Sequence, residues 1–281
     1  YILKISCPAT SGIVAAVTTF LAQSGCYISE MAQFDDEFHE RFFMRAVFRG
    51  NSGGELDLAQ IEKGFAGVAE RFAMQWELHS QAQPMRVLLM VSKYDHCLND
   101  LLYRYHKGEM HMQITAIVSN HLDLRPMAER EGIRFIYLPV TKDNKAQQEA
   151  ELLKIVQDTQ TELVVLARYM QILSDDLCRH LNGRAINIHH SFLPGFKGAK
   201  PYHPAWDRGV KLIGATAHYV TADLDQGPII EQGVERVSHR ESVETLRELG
   251  QNVERNVLAR AVRWHLEDRV IVHGNKTIVF A

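Results

Sequence analysis

The feature that most constrains the fold is a change in strand pattern at a polar segment that ends in Pro84. Before it, apolar and polar residues alternate, as in residues 3–6, which is typical of an antiparallel sheet with one exposed face. After it, residues 86–91 are almost wholly apolar, which indicates a parallel sheet covered on both faces. The two patterns predict two domains, residues 1–80 and 85–281, joined by a short linker.

The first domain is predicted to be ferredoxin-like. Its elements follow the order βαββαβ, with strands at 1–7, 26–33, 41–48 and 74–79 and helices at 11–24 and 55–71. This order places the helices on one face of an antiparallel sheet.

The second domain is predicted to be a Rossmann-like, doubly wound α/β domain. Strands near 86–91, 112–118, 134–138 and 162–167 alternate with helices near 96–107, 123–131 and 143–159. Ligands bind such sheets beyond the carboxyl ends of the strands. The first loop there, residues 92–98, contains no glycine, so it cannot bring backbone N–H groups close to a phosphate. A nicotinamide or nucleotide enzyme is therefore not expected.

Composition narrows the partners and the compartment. The net charge is −3, which argues against binding to nucleic acid or to an anionic membrane. No apolar run reaches the ~18 residues that a membrane span requires. The four cysteines, Cys7, Cys26, Cys97 and Cys178, are far apart and form no C-x-x-C pair. We expect reduced thiols in a cytoplasmic protein.

Three polar residues stand at the ends of predicted strands. Asn187 and His189 alternate on one strand and so share a face, directly before a loop rich in proline and glycine. Asp225 precedes a Gly-Pro turn that can aim its carboxylate inward. Taken singly, each has a structural explanation: a turn-capping amide, a buried histidine, a loop carboxylate. His189 and His190 point to opposite faces of a strand, so a metal pair is not expected.

These stretches resemble the formyltetrahydrofolate-dependent formyltransferase family. The motifs are N-I-H-x-S-x-L-P-x-x-x-G from Asn187, H-Y-V-T-x-x-L-D-x-G-P-I-I from His218, and residues 166–174, which are similar to the family's folate-binding segment. The resemblance covers residues 85–281. It implies that Asn187, His189 and Asp225 are catalytic, that a reduced folate binds, and that no metal, ATP or other cofactor takes part. The candidate substrate contacts are Met170, Ile172, Leu173, His190, Lys200 and His203.

The acceptor of the formyl group is predicted from the rest of the chain. The loop after the first strand of the second domain contains Asp95, which would repel a phosphorylated substrate. Residues 197–203 resemble the K-G-A-x-P-Y-H loop of the family's deformylase branch. Residues 5–8, Ile-Ser-Cys-Pro, and 11–17, Ser-Gly-Ile-Val-Ala-Ala-Val, resemble the start of an ACT domain, which accompanies that branch and implies a homo-oligomer. The expected reaction is hydrolysis of 10-formyltetrahydrofolate to formate and tetrahydrofolate, which supplies formate to purine biosynthesis.

Two alternatives stay open at this point. One is a transferase with an amine acceptor, and the other is a sensor that binds folate or an amino acid without catalysis. The first domain departs from the ACT pattern at residues 9–11, Ala-Thr-Ser, where the usual charged residues are missing. That departure argues against an amino-acid effector and leaves a structural, oligomerising role for this domain.

Overall fold

The computed structural model describes residues 1–193 and 202–281. Contacts divide the chain into two compact units. The first comprises Tyr1–Gln83 with Asp268–His273 and Ile278–Ala281, and the second comprises Pro84–Glu267 with Gly274–Thr277. The division after Gln83 falls in the polar segment that ends in Pro84. Residues 268–273 and 278–281 belong to the first unit, although the sequence pattern places them in the second domain.

The first unit has the predicted βαββαβ order. Its elements are β1 (Ile2–Pro8), α1 (Ile13–Gln23), β2 (Cys26–Asp36), β3 (Arg41–Gly50), α2 (Leu58–Arg71) and β4 (Gln75–His79). The four strands form a sheet of order β2-β3-β1-β4 with antiparallel neighbours throughout. The ferredoxin-like prediction is thereby confirmed.

The core of the first unit follows from two periodicities. Helix α1 buries Ile13, Val17 and Leu21, which are spaced four residues apart and so lie on one face of the helix. Central strand β1 is buried along most of its length because strands flank it on both edges and helices cover one face. The Asp57 side chain caps α2 by accepting a hydrogen bond from the backbone N–H of Gln60, 3.1 Å away.

The second unit alternates strands and helices as predicted. Its elements are β5 (Met85–Val91), α3 (His96–His106), β6 (Met112–Ser119), α4 (Arg125–Arg130), β7 (Phe135–Tyr137), α5 (Lys145–Asp158), β8 (Leu163–Leu166), α6 (Asp175–His180), β9 (Ala185–His189), α7 (Tyr202–Arg208), β10 (Leu212–Tyr219), β11 (Ile229–Arg236) and α8 (Val243–Leu266). Two further strands, β12 (Val270–His273) and β13 (Lys276–Val279), pair with each other.

The sheet of the second unit has seven strands in the order β11-β10-β9-β8-β5-β6-β7. Strands β5 to β9 pair in parallel, and β10 and β11 add an antiparallel hairpin at one edge. The doubly wound prediction is confirmed. From β5 the chain runs outward through β6 and β7 and then returns to β8 on the other side. The strand order therefore reverses between β5 and β8, where such folds form their ligand crevice.

No helix within residues 1–193 and 202–281 combines the length and the apolar composition that crossing a bilayer requires.

Candidate active site

A cleft of about 610 Å³ opens at the carboxyl end of the large sheet. Its walls come from the segment after β8, the end of β9 and the loop after β10. The lining is Leu166, Arg168, Tyr169, Met170, Gln171, Ile172, Leu173, Cys178, Asn187, Ile188, His189, His190, His218, Val220, Thr221, Ala222, Asp223, Leu224, Asp225 and Gln226. The cleft thus brings together the three stretches that carry the sequence motifs.

Strand geometry places Asn187 and His189 in this cleft. They are two residues apart on β9, so their side chains leave the same face of the sheet. Across the antiparallel pair, Asn187 lies opposite His218 and His189 lies opposite Thr216. His189 is buried, and Asn187 is half-buried.

Asp225 reaches the cleft through a strained turn between β10 and β11. Its backbone has a φ of 55°, a left-handed conformation that aspartate tolerates better than most residues. The turn is tight: a Cβ on Gly227 would lie 1.8 Å from the carbonyl oxygen of Tyr219. The backbone N–H of Tyr219 also donates a 2.9 Å hydrogen bond to the carbonyl of Pro228. This turn therefore fixes where the carboxylate of Asp225 points.

The Asp225 carboxylate contacts two histidines. Its Oδ2 lies 3.3 Å from Nδ1 of His189, and its Oδ1 lies 3.6 Å from Nε2 of His218. Burial alone would raise the pKa of Asp225, but hydrogen bonds and charge from both histidines outweigh it and hold the pKa well below its usual range. Asp225 is thus an ionised carboxylate at neutral pH.

His189 keeps one ring nitrogen for a ligand. Because Nδ1 faces Asp225, Nε2 is the nitrogen left to act on other groups, and it is buried without a hydrogen-bond partner in the described part of the chain. A buried polar atom left unpaired in a cleft indicates a place where substrate or water binds. Such a nitrogen can accept a proton when the ring is neutral and donate one when it is charged.

Sequence reasoning assigned no role to His218. Its Nδ1–H donates to the carbonyl of Tyr219 at 2.9 Å, and its Nε2 lies 3.3 Å from the amide nitrogen of Asn187. His218 therefore orients Asn187 and contacts Asp225 as well. The signal that could have found it is the pairing of β9 with β10, since only the register places His218 opposite Asn187.

A second group that the sequence motifs did not indicate surrounds Glu254 on α8. This carboxylate is 1% exposed, and its Oε2 lies 2.7 Å from Nε2 of His96 and 3.3 Å from Nε of Arg168. Its Oε1 accepts a 3.1 Å hydrogen bond from the hydroxyl of Tyr202. Burial alone would raise the pKa of Glu254, but the His96 hydrogen bond and the Arg168 charge outweigh it, so the pKa is lowered.

The glycine-free loop at 92–98 is bound to the segment that follows β8. The backbone N–H of Met170 donates a 3.0 Å hydrogen bond to Oγ of Ser92, whose hydroxyl donates to Asn120 at 2.6 Å. The ring of Tyr94 lies under the Arg168 guanidinium, with 5.0 Å between its centroid and the guanidinium carbon. Side chains therefore fill this loop region, and it contains no glycine cradle.

The predicted substrate contacts are placed unevenly. Met170, Ile172, Leu173 and His190 line the cleft. Met170 and Ile172 are exposed apolar side chains, which suits contact with a flat apolar ligand. His203 is exposed on α7 and does not belong to the described cleft wall. Lys200 lies outside the described residues. The roles of all six residues stay predictions.

Only one group near the cleft has ligand atoms close enough to hold a metal, within the described residues. These atoms belong to His96, Cys97 and Glu254 and lie within 4.8 Å of one another. A cation there would meet the Arg168 guanidinium, and burial raises the pKa of the Cys97 thiol well above its usual value. The His96–Glu254 hydrogen bond accounts for the proximity without a metal.

Fold and cleft together define a formyl-transfer catalytic domain, and the Formyl transferase family model matches residues 85–262. The formyltetrahydrofolate deformylase of Corynebacterium sp. (strain P-1) is 49% identical over 279 residues, covering 99% of this chain and 97% of that protein. The chain belongs to the formyltetrahydrofolate deformylase family. The resemblance inferred from the sequence motifs is confirmed.

Solved structures agree with this assignment. A formyltetrahydrofolate deformylase from Burkholderia mallei is 52% identical, with a TM-score of 0.94 and coverage of 100% of this chain and 99% of that one. A glycinamide ribonucleotide transformylase from Symbiobacterium toebii is more distant, at 27% identity and a TM-score of 0.67. It matches 73% of this chain and 98% of its own length. The two deformylases named above match nearly the full chain.

Proposed function

We propose that this protein hydrolyses 10-formyltetrahydrofolate to formate and tetrahydrofolate at the cleft of the second unit. The observation that carries the proposal is His189, whose Nδ1 faces the ionised Asp225 while its buried Nε2 has no partner among the described side chains. A histidine held in this way can exchange protons with a reacting group near neutral pH. The relatives named as formyltetrahydrofolate deformylases supply the substrate class.

The chemistry requires a nucleophile, an oxyanion donor and a proton route. A water oxygen attacks the formyl carbon, and the carbonyl electrons move onto its oxygen. The C–N10 bond then breaks, N10 takes a proton, and formate leaves. Asn187 and His189 donate hydrogen bonds to the oxyanion, and one such donor contributes ~3 kcal/mol. Asp225 holds the imidazole, positions the water and accepts its proton through this network.

The size of the cleft favours water as the acceptor. Ligand pockets for one drug-sized molecule span ~300–1,000 Å³, and the observed 610 Å³ lies in the middle of that range. A reduced folate packed against Met170, Ile172 and Leu173 would fill it and leave little space for a second substrate of similar size. The packed loop at 92–98 adds to this argument, because side chains occupy the space where a glycine cradle would bind phosphate.

We assign residues 1–80 an ACT-like, oligomerising role. Strand β2 is a long sheet edge that exposes Tyr27, Met31 and Phe34, and exposed apolar edges favour pairing between copies of a chain.

The four cysteines are free and buried, as in a reducing cytoplasm. Formate from the reaction would feed purine biosynthesis, and the catalytic steps written above use no cofactor.

The test is turnover without an added acceptor. Purified protein is incubated with 10-formyltetrahydrofolate alone, and formate and tetrahydrofolate are measured against an enzyme-free blank. We expect equimolar products at a catalytic rate, and an added amine should leave the rate of formate release unchanged. Formate release at the blank rate, with formylation of the added amine, would instead establish a transferase. Binding without either product would establish a sensor.

A further inference from the structure

Arg168 is a buried arginine at the cleft that the proposed mechanism does not use. It is 6% exposed and lines the cleft directly after strand β8. Its backbone has a φ of 67°, in the left-handed region that long side chains seldom occupy. Strain of this kind persists where surrounding contacts hold it, often at functional sites. The position therefore suggests a role beyond packing.

Neighbouring side chains hold the guanidinium in one place. Its Nε lies 3.3 Å from Oε2 of Glu254, and its plane covers the ring of Tyr94 at 5.0 Å. Glu254 is fixed in turn by His96 and Tyr202, at 2.7 and 3.1 Å. Arg168 is therefore a preorganised group, unlike a surface arginine that samples many rotamers.

The same guanidinium keeps a hydrogen-bond donor available. Its Nε faces the Glu254 carboxylate, whereas its Nη1 is buried and has no hydrogen-bond partner in the described part of the chain. The other cleft atom in that condition is Nε2 of His189. His190 lines the cleft as well, and its ring lies 5.1 Å from that of His189. Arg168 thus lines the same cleft as His189 and keeps a buried N–H group without a partner among the described residues.

We propose that Arg168 is a specificity-determining residue that restricts the formyl acceptor to water, an inference that rests on the proposed hydrolysis. Water has two lone pairs, so one can accept a hydrogen bond from Arg168 while the other attacks the formyl carbon. A primary amine has a single lone pair. If that lone pair accepts a hydrogen bond from Arg168, it cannot attack the formyl carbon. If it turns toward the formyl carbon, the N–H groups of the amine face the N–H groups of Arg168, and donor meets donor. The guanidinium fork also matches the two oxygens of the formate product.

Replacing Arg168 should open the reaction to amines. The attacking nitrogen would bond to the formyl carbon, the C–N10 bond would break, and the amine proton would move to N10. The products would be an N-formyl amine and tetrahydrofolate. Glycinamide is a suitable probe, because it is small and its formylated product can be separated from formate. The ratio of N-formylglycinamide to formate, measured at fixed glycinamide, is the readout.

The variants are Arg168→Ala and Arg168→Lys, with Arg179→Ala on exposed α6 as the matched control. We expect Arg168→Ala to raise the ratio about tenfold or more, the size of one hydrogen bond from a charged donor, with KM for the folate little changed. Arg168→Lys keeps the charge without the planar fork and should give an intermediate ratio. The control should match the unmodified protein. A folate-binding role for Arg168 would raise KM and leave the ratio unchanged, and that result would overturn the inference.

Folding of the variants can be controlled. Removing Arg168 leaves Glu254 buried with less compensating charge, so the double variant Arg168→Met/Glu254→Gln provides a neutral replacement. If the single variants unfold, the ratio of N-formylglycinamide to formate in the double variant tests the inference about Arg168. If the unmodified protein releases no formate, the proposed function fails. If it does and every folded variant keeps its product ratio, only the inference about Arg168 fails.

Discussion

Replacing Asp225 by asparagine tests the catalytic group most directly. The substitution keeps the size of the side chain and suits the backbone, because asparagine tolerates a φ of 55° about as well as aspartate. It removes the charge that faces His189 and His218. Alanine would add backbone strain to the loss of charge, so it is the less informative change.

The structure sets the scale of the effect. A unit charge 3.3 Å from a protonated His189 is worth about 5 kcal/mol at an effective dielectric constant of about 20. Loss of that interaction in the transition state lowers kcat by roughly 5,000-fold, since 1.36 kcal/mol corresponds to about tenfold in rate. Folate binding should change by less than about tenfold, because the lost interaction strengthens as the imidazole becomes charged.

The assay is single-turnover formate release, with binding of a 10-formyl folate analogue measured in parallel. Asp223→Asn is the matched control: it is an exposed carboxylate in the same loop and should retain activity within about twofold, as surface changes usually do. Activity of Asp225→Asn above a tenth of normal would refute the assignment. An equal loss of binding and turnover would show that Asp225 holds substrate and does not act on the reacting groups.

Three further results are expected. His218→Gln should lower kcat about tenfold while leaving folate binding intact, because one orienting hydrogen bond to the Asn187 amide is lost; an unchanged rate would remove His218 from the site. Gly250→Ala should destabilise the protein by about 1–3 kcal/mol in thermal unfolding, since the new Cβ would lie 1.9 Å from the Tyr202 hydroxyl. The control is Gly67→Ala, whose new Cβ meets nothing within 4 Å and which should be neutral or stabilising. His79 has a raised pKa through its hydrogen bond to a buried carboxylate, so its stabilisation is full below about pH 6.5 and is lost as pH rises through the folded pKa. The difference in Tm between the unmodified protein and His79→Gln should therefore shrink from pH 6 to pH 8.5, and a difference that grows would contradict the assigned pair.

The fold could be predicted from the sequence wherever a short run of residues reveals how its strand or turn is packed in the tertiary structure. Residues 86–91 are apolar on both faces because two layers cover β5, so composition alone indicates a central strand. The spacing of Asn187 and His189 places them on one face whatever the rest of the fold. The turn before Gly227 indicates an aimed carboxylate for a similar reason, because only glycine fits against the Tyr219 carbonyl there.

Other features depend on pairings that no local pattern contains. His218 joins the site only through the register of β9 with β10. Glu254 is a buried charge on α8, and nothing near it in sequence marks the His96 and Arg168 that compensate it. The antiparallel hairpin at the sheet edge and the assignment of Asp268 to the first unit likewise follow from tertiary contacts alone.

The place of Asp268 has a consequence for how the chain is made. Its carboxylate lies 3.1 Å from the ammonium of Lys4, and its backbone carbonyl accepts a hydrogen bond from the buried side chain of Arg45, 223 residues earlier. During synthesis from the N-terminus, the early strands emerge with the partners Glu77 of Lys4 and Glu30 of Arg45 already made but with Asp268 still to come. The first-made unit therefore reaches its final set of contacts only after the ribosome has passed residue 268.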